Sequence, residues 1–166
     1  MNIFFPHQRF HSITDISPQS LIIRGFKGII LDVDNTLTTH DNPVPGEGVE
    51  KWLADARDTG LRMIILSNNT PERVTPFAEM LGLSFEANGK KPLWSGYIRA
   101  MKKLGTSKKE TLAIGDQIFT DVLGARLAGI HCIFTDPIEP EHTKFFKFKR
   151  WAERPILASF ERRNKK

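Results

Sequence analysis

Gly28-Ile29-Ile30-Leu31-Asp32-Val33-Asp34-Asn35-Thr36-Leu37 is the stretch that decides the fold. A short apolar run ends in an acid, and a second acid follows two positions later. Apolar runs of about four to eight residues bounded by turn signals fit strands buried on both faces, as in parallel sheets. Asp32 and Asp34 then fall at the carboxyl end of a first strand. Downstream, Pro45 to Thr59 reads as a helix with Gly60 as its stop, and Leu61 to Leu66 as a second strand. Thr70-Pro71 opens a helix ending near Leu81-Gly82, and Leu83 to Ala87 is a short strand. Pro92 to Leu104 is helical, Thr111 to Gly115 a strand, Ile118 to Ala128 helical and Ile130 to Phe134 a fifth strand. A last helix, Glu141 to Glu153, is expected to stop before Pro155. Residues 1 to 24 read as irregular, except for a short helix with Ser17 as N-cap and Pro18 at its first position. Strands alternating with helices predict an α/β fold: a parallel sheet of about five strands with helices on both faces.

The chain has 166 residues, 40% hydrophobic and 26% charged, which suits one globular domain over 1–166. No internal repeat or linker breaks it. No run approaches the ~18 apolar residues of a membrane-spanning helix. The single cysteine, Cys132, excludes an intrachain disulfide, and its apolar setting His131-Cys132-Ile133-Phe134 predicts a buried structural thiol. Met1-Asn2-Ile3-Phe4-Phe5-Pro6 does not read as a secretory signal, so a cytoplasmic location is expected. Charge is uneven. Residues 141–166 carry nine Lys/Arg against three acids, whereas the first 140 residues are nearly neutral. A basic C-terminal segment favours an anionic partner or simply aids solubility.

In open parallel sheets, ligands sit at the carboxyl ends of the strands. The first strand ends there in Asp32-Val33-Asp34-Asn35-Thr36, the second in Ser67-Asn68-Asn69, and the fourth in Gly115-Asp116, with Asp121 five residues on. Lys90-Lys91-Pro92 lies in the loop before the third helix. Carboxylates converging on one point need a cation between them, and an all-oxygen set suits Mg²⁺. Asp32 can act as a carboxylate nucleophile, and Asp34 as general acid and then base. Ser67 can donate to a phosphoryl oxygen near the helix start at Thr70-Pro71. Lys91 can neutralise charge on nucleophile and phosphoryl group.

These motifs resemble those of the haloacid dehalogenase superfamily, from about residue 26 to 136. Leu31-Asp32-Val33-Asp34-Asn35-Thr36-Leu37 matches the first motif, Leu66-Ser67-Asn68 the second, Lys91-Pro92 the third, and Ile114-Gly115-Asp116-Gln117-Ile118-Phe119-Thr120-Asp121 the fourth. The resemblance implies a Rossmann-like sheet and Mg²⁺, with Asp32 as nucleophile and Asp34 as acid/base. It implies metal ligation by Asp32, the Asp34 main-chain carbonyl and Asp116, with Asp121 in support. Thr36, Asn68 and Lys91 are the expected substrate contacts. The acid at Asp34 points to a phosphatase, since the superfamily's dehalogenases and transport ATPases lack it.

Only 32 residues separate Asp34 from Ser67 and 23 separate Ser67 from Lys91, so neither interval holds a cap domain. An uncapped site suits a large or surface-bound substrate better than a small metabolite that needs shielding from water. Ser17-Pro18-Gln19-Ser20-Leu21 and Arg24-Gly25-Phe26-Lys27-Gly28, followed by Asp-Val-Asp-Asn-Thr-Leu and Gly-Asp-Gln-x-x-Thr-Asp, resemble the YqeG type in subfamily IIIA. That type is similar to phosphatidylglycerophosphate phosphatases. The implied reaction is removal of the terminal phosphate of phosphatidylglycerophosphate, giving phosphatidylglycerol.

In the basic segment, Phe145, Phe148 and Trp151 or Ala152 recur at helical spacing, beside a stripe of Lys144, Lys147, Arg150 and Arg154. Two readings stay open: the stripes face an anionic membrane, with the protein peripheral to it, or the aromatic face docks on the sheet. No RNA-binding motif is visible, so a nucleic-acid partner is disfavoured. The rival functions are hydrolysis of a soluble sugar phosphate, nucleotide or phosphoprotein, a non-catalytic RNA- or protein-binding scaffold, and a receiver-type phosphoacceptor.

Overall fold

The computed structural model describes residues 2–40 and 42–164; Lys165 and Lys166 of the basic segment lie outside the described residues. Gly28–Leu31 (β2) is buried along its whole length, and so can only be a central strand. It pairs in parallel with Arg62–Leu66 (β3) on one side and Thr111–Gly115 (β5) on the other, placing Leu31 opposite Ile65 and Ile114. Ser84–Glu86 (β4) extends the sheet beyond β3, and His131–Thr135 (β6) extends it beyond β5. Gln8–Phe10 (β1) closes the far edge, giving the order β1-β6-β5-β2-β3-β4.

Successive residues of β2 feed opposite faces. Ile29 and Leu31 join one core with Pro18–Ile23 (α1), Val49–Asp58 (α2) and Pro71–Met80 (α3). Ile30 joins the other, with Trp94–Leu104 (α4), Leu123–Ala128 (α5) and Lys144–Asn164 (α6). Each such fully buried side chain contributes about 1.5–3 kcal/mol. From β2 the chain steps outward to β3 and β4, then crosses back to β5 on β2's other side. The gap between β2 and β5 is therefore the topological switch point, where the fold opens a crevice at the strand ends.

Local signals hold where they are strong. Ser17 Oγ accepts the Ser20 N–H, with Pro18 opening α1. Gly105 and Gly129 close α4 and α5 in the left-handed conformation, at φ 63° and 75°. Cys132 is buried, and burial pushes its thiol up to about 11.

Three expectations need correction. The sheet has six strands, not five, because β1 lies in the segment read as irregular. Gln-Arg-Phe has no apolar run to announce it; pairing with β6 and the Arg9–Asp136 ion pair at 2.6 Å hold it. Next, α2 starts at Val49 and α4 at Trp94, each a few residues after the proline that seemed to open it. Finally, α6 does not stop at Glu153. It continues through Pro155 to Asn164. An internal proline costs about 3 kcal/mol. Ile156 and Leu157 pack on the second core and Phe160 is buried, so packing beyond the proline holds the helix.

Candidate active site

Asp32 is fixed by the sheet itself: its N–H continues the ladder to the Ile114 carbonyl at 3.0 Å. The next residues turn back sharply. The N–H groups of Thr36, Leu37 and Thr38 all donate to the Val33 carbonyl, and Asn35 takes a left-handed φ of 61°. This turn brings the Thr36 hydroxyl within 3.4 Å of both Asp32 Oδ2 and Asp116 Oδ1. Asp34 leaves the turn on the other side, where its Oδ2 accepts from Asn69 Nδ2 at 2.9 Å and its Oδ1 lies 3.7 Å from His40 Nδ1.

β3 delivers Ser67, whose Oγ accepts the Asn69 N–H at 3.1 Å. Asn68 is committed elsewhere. Its amide accepts the Lys91 N–H at 2.6 Å and donates to the Lys91 carbonyl at 3.1 Å. Expected as a substrate contact, Asn68 instead clamps the backbone of the lysine. Lys90 takes a left-handed φ of 53°, and the clamp holds the backbone of the residue that follows it. Lys91 is buried, whereas Lys90 is exposed. Lys91 Nζ donates to Asp32 Oδ1 and, at 2.7 Å, to Asp121 Oδ1.

β5 ends at Gly115, and Asp116 follows, fully buried. A π-helical turn, Ile118–Val122, leads into α5 and carries Asp121. Asp121 packs so close to Gly115 that a Cβ there would lie 2.5 Å from its Cγ, so only glycine fits. The Gln117 N–H donates to Asp121 Oδ2 at 3.1 Å, and Tyr97 Oη donates to the Asp121 carbonyl at 3.2 Å. Asp32, Asp116 and Asp121 thereby each offer a carboxylate oxygen, all within 4.8 Å of one another. The Asp34 carboxylate is not in this cluster.

The cluster is electrostatically expensive. Burial, then the Asp121 carboxylate, push Asp32 up to about 6 despite Lys91. Burial raises Asp116 well above the ordinary carboxylate range, against the pull of Arg150. Burial works against the Lys91 ammonium, yet Asp121 and Asp32 hold it well above its ordinary value. Three carboxylates facing one lysine and one arginine still leave uncompensated negative charge, and an all-oxygen donor set of this kind fits a hard divalent cation.

Three site residues carried no local signal. Arg150, on α6, donates to the Asp116 carbonyl and to Asp116 Oδ2. Glu141 accepts from Arg150 and lies 3.0 Å from His40 Nε2. Glu153 accepts from Arg150 at 3.2 Å and from the Ile118 N–H at 2.7 Å. The first of these corrects the expected basic stripe, because Arg150 turns inward. Phe145, Phe148 and Trp151 are instead exposed, with the last two stacked on each other. The aromatic stripe therefore does not dock on the sheet. No helix among the described residues is long and apolar enough to cross a membrane.

A parallel α/β sheet with a carboxylate cluster and a buried lysine at its switch point is the frame of an acid-centred hydrolase. The family model for haloacid dehalogenase-like hydrolases matches residues 40–129. The probable phosphatase YqeG of Bacillus subtilis is 35% identical over 160 residues, covering 96% of this chain and 93% of that protein. The chain belongs to the haloacid dehalogenase-like hydrolases and, among them, to the YqeG type of phosphatase. A phosphoserine phosphatase of Thermus thermophilus is 30% identical over 105 residues, which is 55% of this chain and 42% of that protein. Among solved structures, the cobalt-bound deoxy-D-mannose-octulosonate 8-phosphate phosphatase of Haemophilus influenzae superposes with a TM-score of 0.55 at 19% identity, over 68% of this chain and 70% of that one. NagD of Escherichia coli does so at 0.56 and 15% identity, over 66% and 87%. These two likenesses carry the fold alone.

Proposed function

We propose that this chain is a Mg²⁺-dependent phosphomonoesterase that works through an aspartyl-phosphate at Asp32, with phosphatidylglycerophosphate as substrate. The observation that carries the chemistry is Lys91, held between Asp32 and Asp121 with Asp34 on the open side. Asp32, Asp116 and Asp121 would hold the cation, which when bound supplies positive charge at the phosphoryl oxygens.

Lys91 keeps Asp32 ionised, so a carboxylate oxygen can attack phosphorus. The bond to the ester oxygen breaks as the bond to Asp32 forms, and Asp34 passes its proton to the departing alkoxide. Asp34 then takes a proton from water. The water oxygen bonds to phosphorus, the Asp32–phosphorus bond breaks and inorganic phosphate leaves. Ser67, beside the start of α3, would donate to a phosphoryl oxygen.

Two features support a lipid substrate. Between Asp34 and Ser67 the chain spends its residues on a loop, α2 and β3, and between Ser67 and Lys91 on α3 and β4, so the site stays open. Beside it, α6 presents exposed Phe145, Phe148 and Trp151 with Lys144, Lys147 and Arg154, a surface suited to an anionic bilayer from its cytoplasmic side. The test is phosphate release from phosphatidylglycerophosphate in mixed micelles with Mg²⁺, with Asp32→Asn as control. Phosphatidylglycerol should appear with the intact enzyme and fall about 10⁴-fold or more in the variant. Hydrolysis of an aryl phosphate without release from the lipid would discard the lipid and move the search to soluble phosphates and phosphoproteins.

A further inference from the structure

We propose that Arg150 is a positioning residue for the reaction: it turns the Asp116 carboxylate so that a single oxygen faces the cation, making the C-terminal helix part of the catalytic machinery. The inference rests on the metal-dependent reading above. It concerns a residue beyond the segment matched by the family model, which ends at 129.

Arg150 grips Asp116 twice, once at its main-chain carbonyl and once at Oδ2. Its remaining N–H groups are spoken for. Nε and Nη2 donate to Glu141 Oε1 at 3.0 and 2.8 Å, and Nη1 donates to Glu153 Oε2 at 3.2 Å. The guanidinium is thus held in place by acids on three sides. Those acids reach the rest of the site. Glu153 Oε1 accepts the Ile118 and Phe119 N–H groups, at 2.7 and 3.3 Å, at the head of the turn that carries Asp121. Glu141 Oε1 accepts from Asn35 Nδ2 at 3.4 Å, in the turn that follows Asp34. One arginine therefore ties together the three segments that carry Asp32, Asp116 and Asp121.

The two oxygens of Asp116 are not equivalent. Oδ2 belongs to Arg150, while Oδ1 faces the Thr36 hydroxyl, which also reaches Asp32 Oδ2. Oδ1 is therefore the oxygen turned toward the cluster. With Oδ2 occupied, Asp116 would offer a small octahedral cation one oxygen and not two. A buried ion pair is poor evidence for stability in itself, because an apolar replacement is often as stable. The fork of bonds onto a single ligand residue points instead to orientation. Lysine, a point charge, cannot reproduce that fork.

The experiment measures Mg²⁺ binding to the full chain by calorimetry, without substrate, for wild type, Arg150→Lys and Arg150→Ala, with thermal unfolding and metal-dependent aryl-phosphate turnover alongside. Arg150→Lys should remain folded and bind Mg²⁺ about 10–100-fold more weakly, the usual effect of losing a partner behind a metal ligand. KM for the aryl phosphate at saturating Mg²⁺ should stay close to wild type. Added guanidinium should restore Mg²⁺ affinity to Arg150→Ala. Should the alanine variant not fold, Arg150→Lys and Glu141→Gln carry the same comparison. Unchanged Mg²⁺ affinity in a folded Arg150→Lys, with only a lower melting temperature, would reduce Arg150 to an anchor for the helix and overturn the proposal. A wild type that binds no Mg²⁺ would instead defeat the metal-dependent reading beneath it.

Discussion

On one side of the carboxylate cluster, Asp34, Ser67 and Asn69 border an open cleft of about 290 Å³ that also includes Thr38, Arg73 and Phe77. On the other side, Asp116 and Asp121 are buried, and Arg150 of α6 pairs with Asp116, held in turn by Glu153 of the same helix and by Glu141 just before it. The open rim is made by residues that each follow directly on a strand: Asp34 in the turn after β2, and the Ser67–Asn69 run after β3. The closed rim joins Asp116, just past β5, to Arg150, inside α6 and well past the end of β6. An open rim admits substrate and water and exchanges protons with them. A closed rim fixes charged ligands and keeps water from their backs. The same three carboxylates are therefore asked for reactivity on one side and rigidity on the other, and the two demands should separate under mutation.

The largest separation is expected at Asp34. Asp34→Asn removes the proton donor and acceptor from the open rim without disturbing the buried cluster, and turnover should fall about 10²–10⁴-fold. Melting temperature should stay nearly unchanged. An aryl phosphate has a leaving group that needs little protonation, so attack by Asp32 still proceeds while hydrolysis stalls. Rapid mixing should then show one equivalent of aryl alcohol released in a burst, with labelled phosphate retained on the protein. A normal steady-state rate would remove Asp34 from the mechanism and leave the open rim as a mere entrance.

Lys91 lies between the rims and should register on both. Lys91→Met leaves Asp32 and Asp121 buried without their cation, a loss of about 3–5 kcal/mol in the metal-free protein. Mg²⁺ should recover part of that loss, and activity should not return. Lys90→Ala, at an exposed neighbour, should stay within about 0.5 kcal/mol of wild type. Equal effects of the two substitutions in chemical denaturation would break the assignment of Lys91 to the cluster.

The same division explains what the sequence made legible. Asp32, Asp34, Ser67 and Asp116 each sit just past an apolar strand, so strand periodicity brings them to one sheet edge, whereas Lys91 and Asp121 lie in the loop and the turn beyond and are legible through the motif resemblance. Lys90 and Lys91 are alike in the sequence, and burial distinguishes the two. Asn68 shows the limit on the open rim, because nothing local says that its amide will be spent on the Lys91 backbone. Arg150 shows it on the closed rim. In the sequence it is one cation among nine in a basic segment, and its inward turn follows from where α6 packs against the Ile118–Val122 turn. Pro155 argued for ending that helix, but the packing of Ile156, Leu157 and Phe160 overrode it. β1 was hidden for the opposite reason: an edge strand of three residues with no apolar run is specified by its partner.

That edge offers the smallest effect and a test of sign. In the cluster, Asp32 has its pKa raised to about 6, so the folded state takes up a proton there before the unfolded chain does. Its contribution to stability in the metal-free protein therefore improves as pH falls from about 6 toward 4. At the β1–β6 edge the sign is opposite. His131 stacks on His7 with ring centres 4.0 Å apart, and its Nε2 lies 3.2 Å from the Arg24 guanidinium. Burial, then His7 and Arg24, push its pKa down to about 3. Below about 6.5 the unfolded chain binds a proton that the folded protein refuses, so this edge contributes its full stability above pH 6.5 and loses it progressively toward pH 3. Comparing wild type with His131→Gln isolates the edge from the cluster. Discounted for the partial exposure of the ring, the difference at pH 5 should be about 1 kcal/mol, or about 2–4 °C in melting temperature, with the variant losing less than wild type on acidification from pH 7.5. Parallel melting curves across that range would mean that the acid response resides elsewhere, and that the β1 edge is held by its backbone pairing and the Arg9–Asp136 ion pair rather than by two neutral imidazoles.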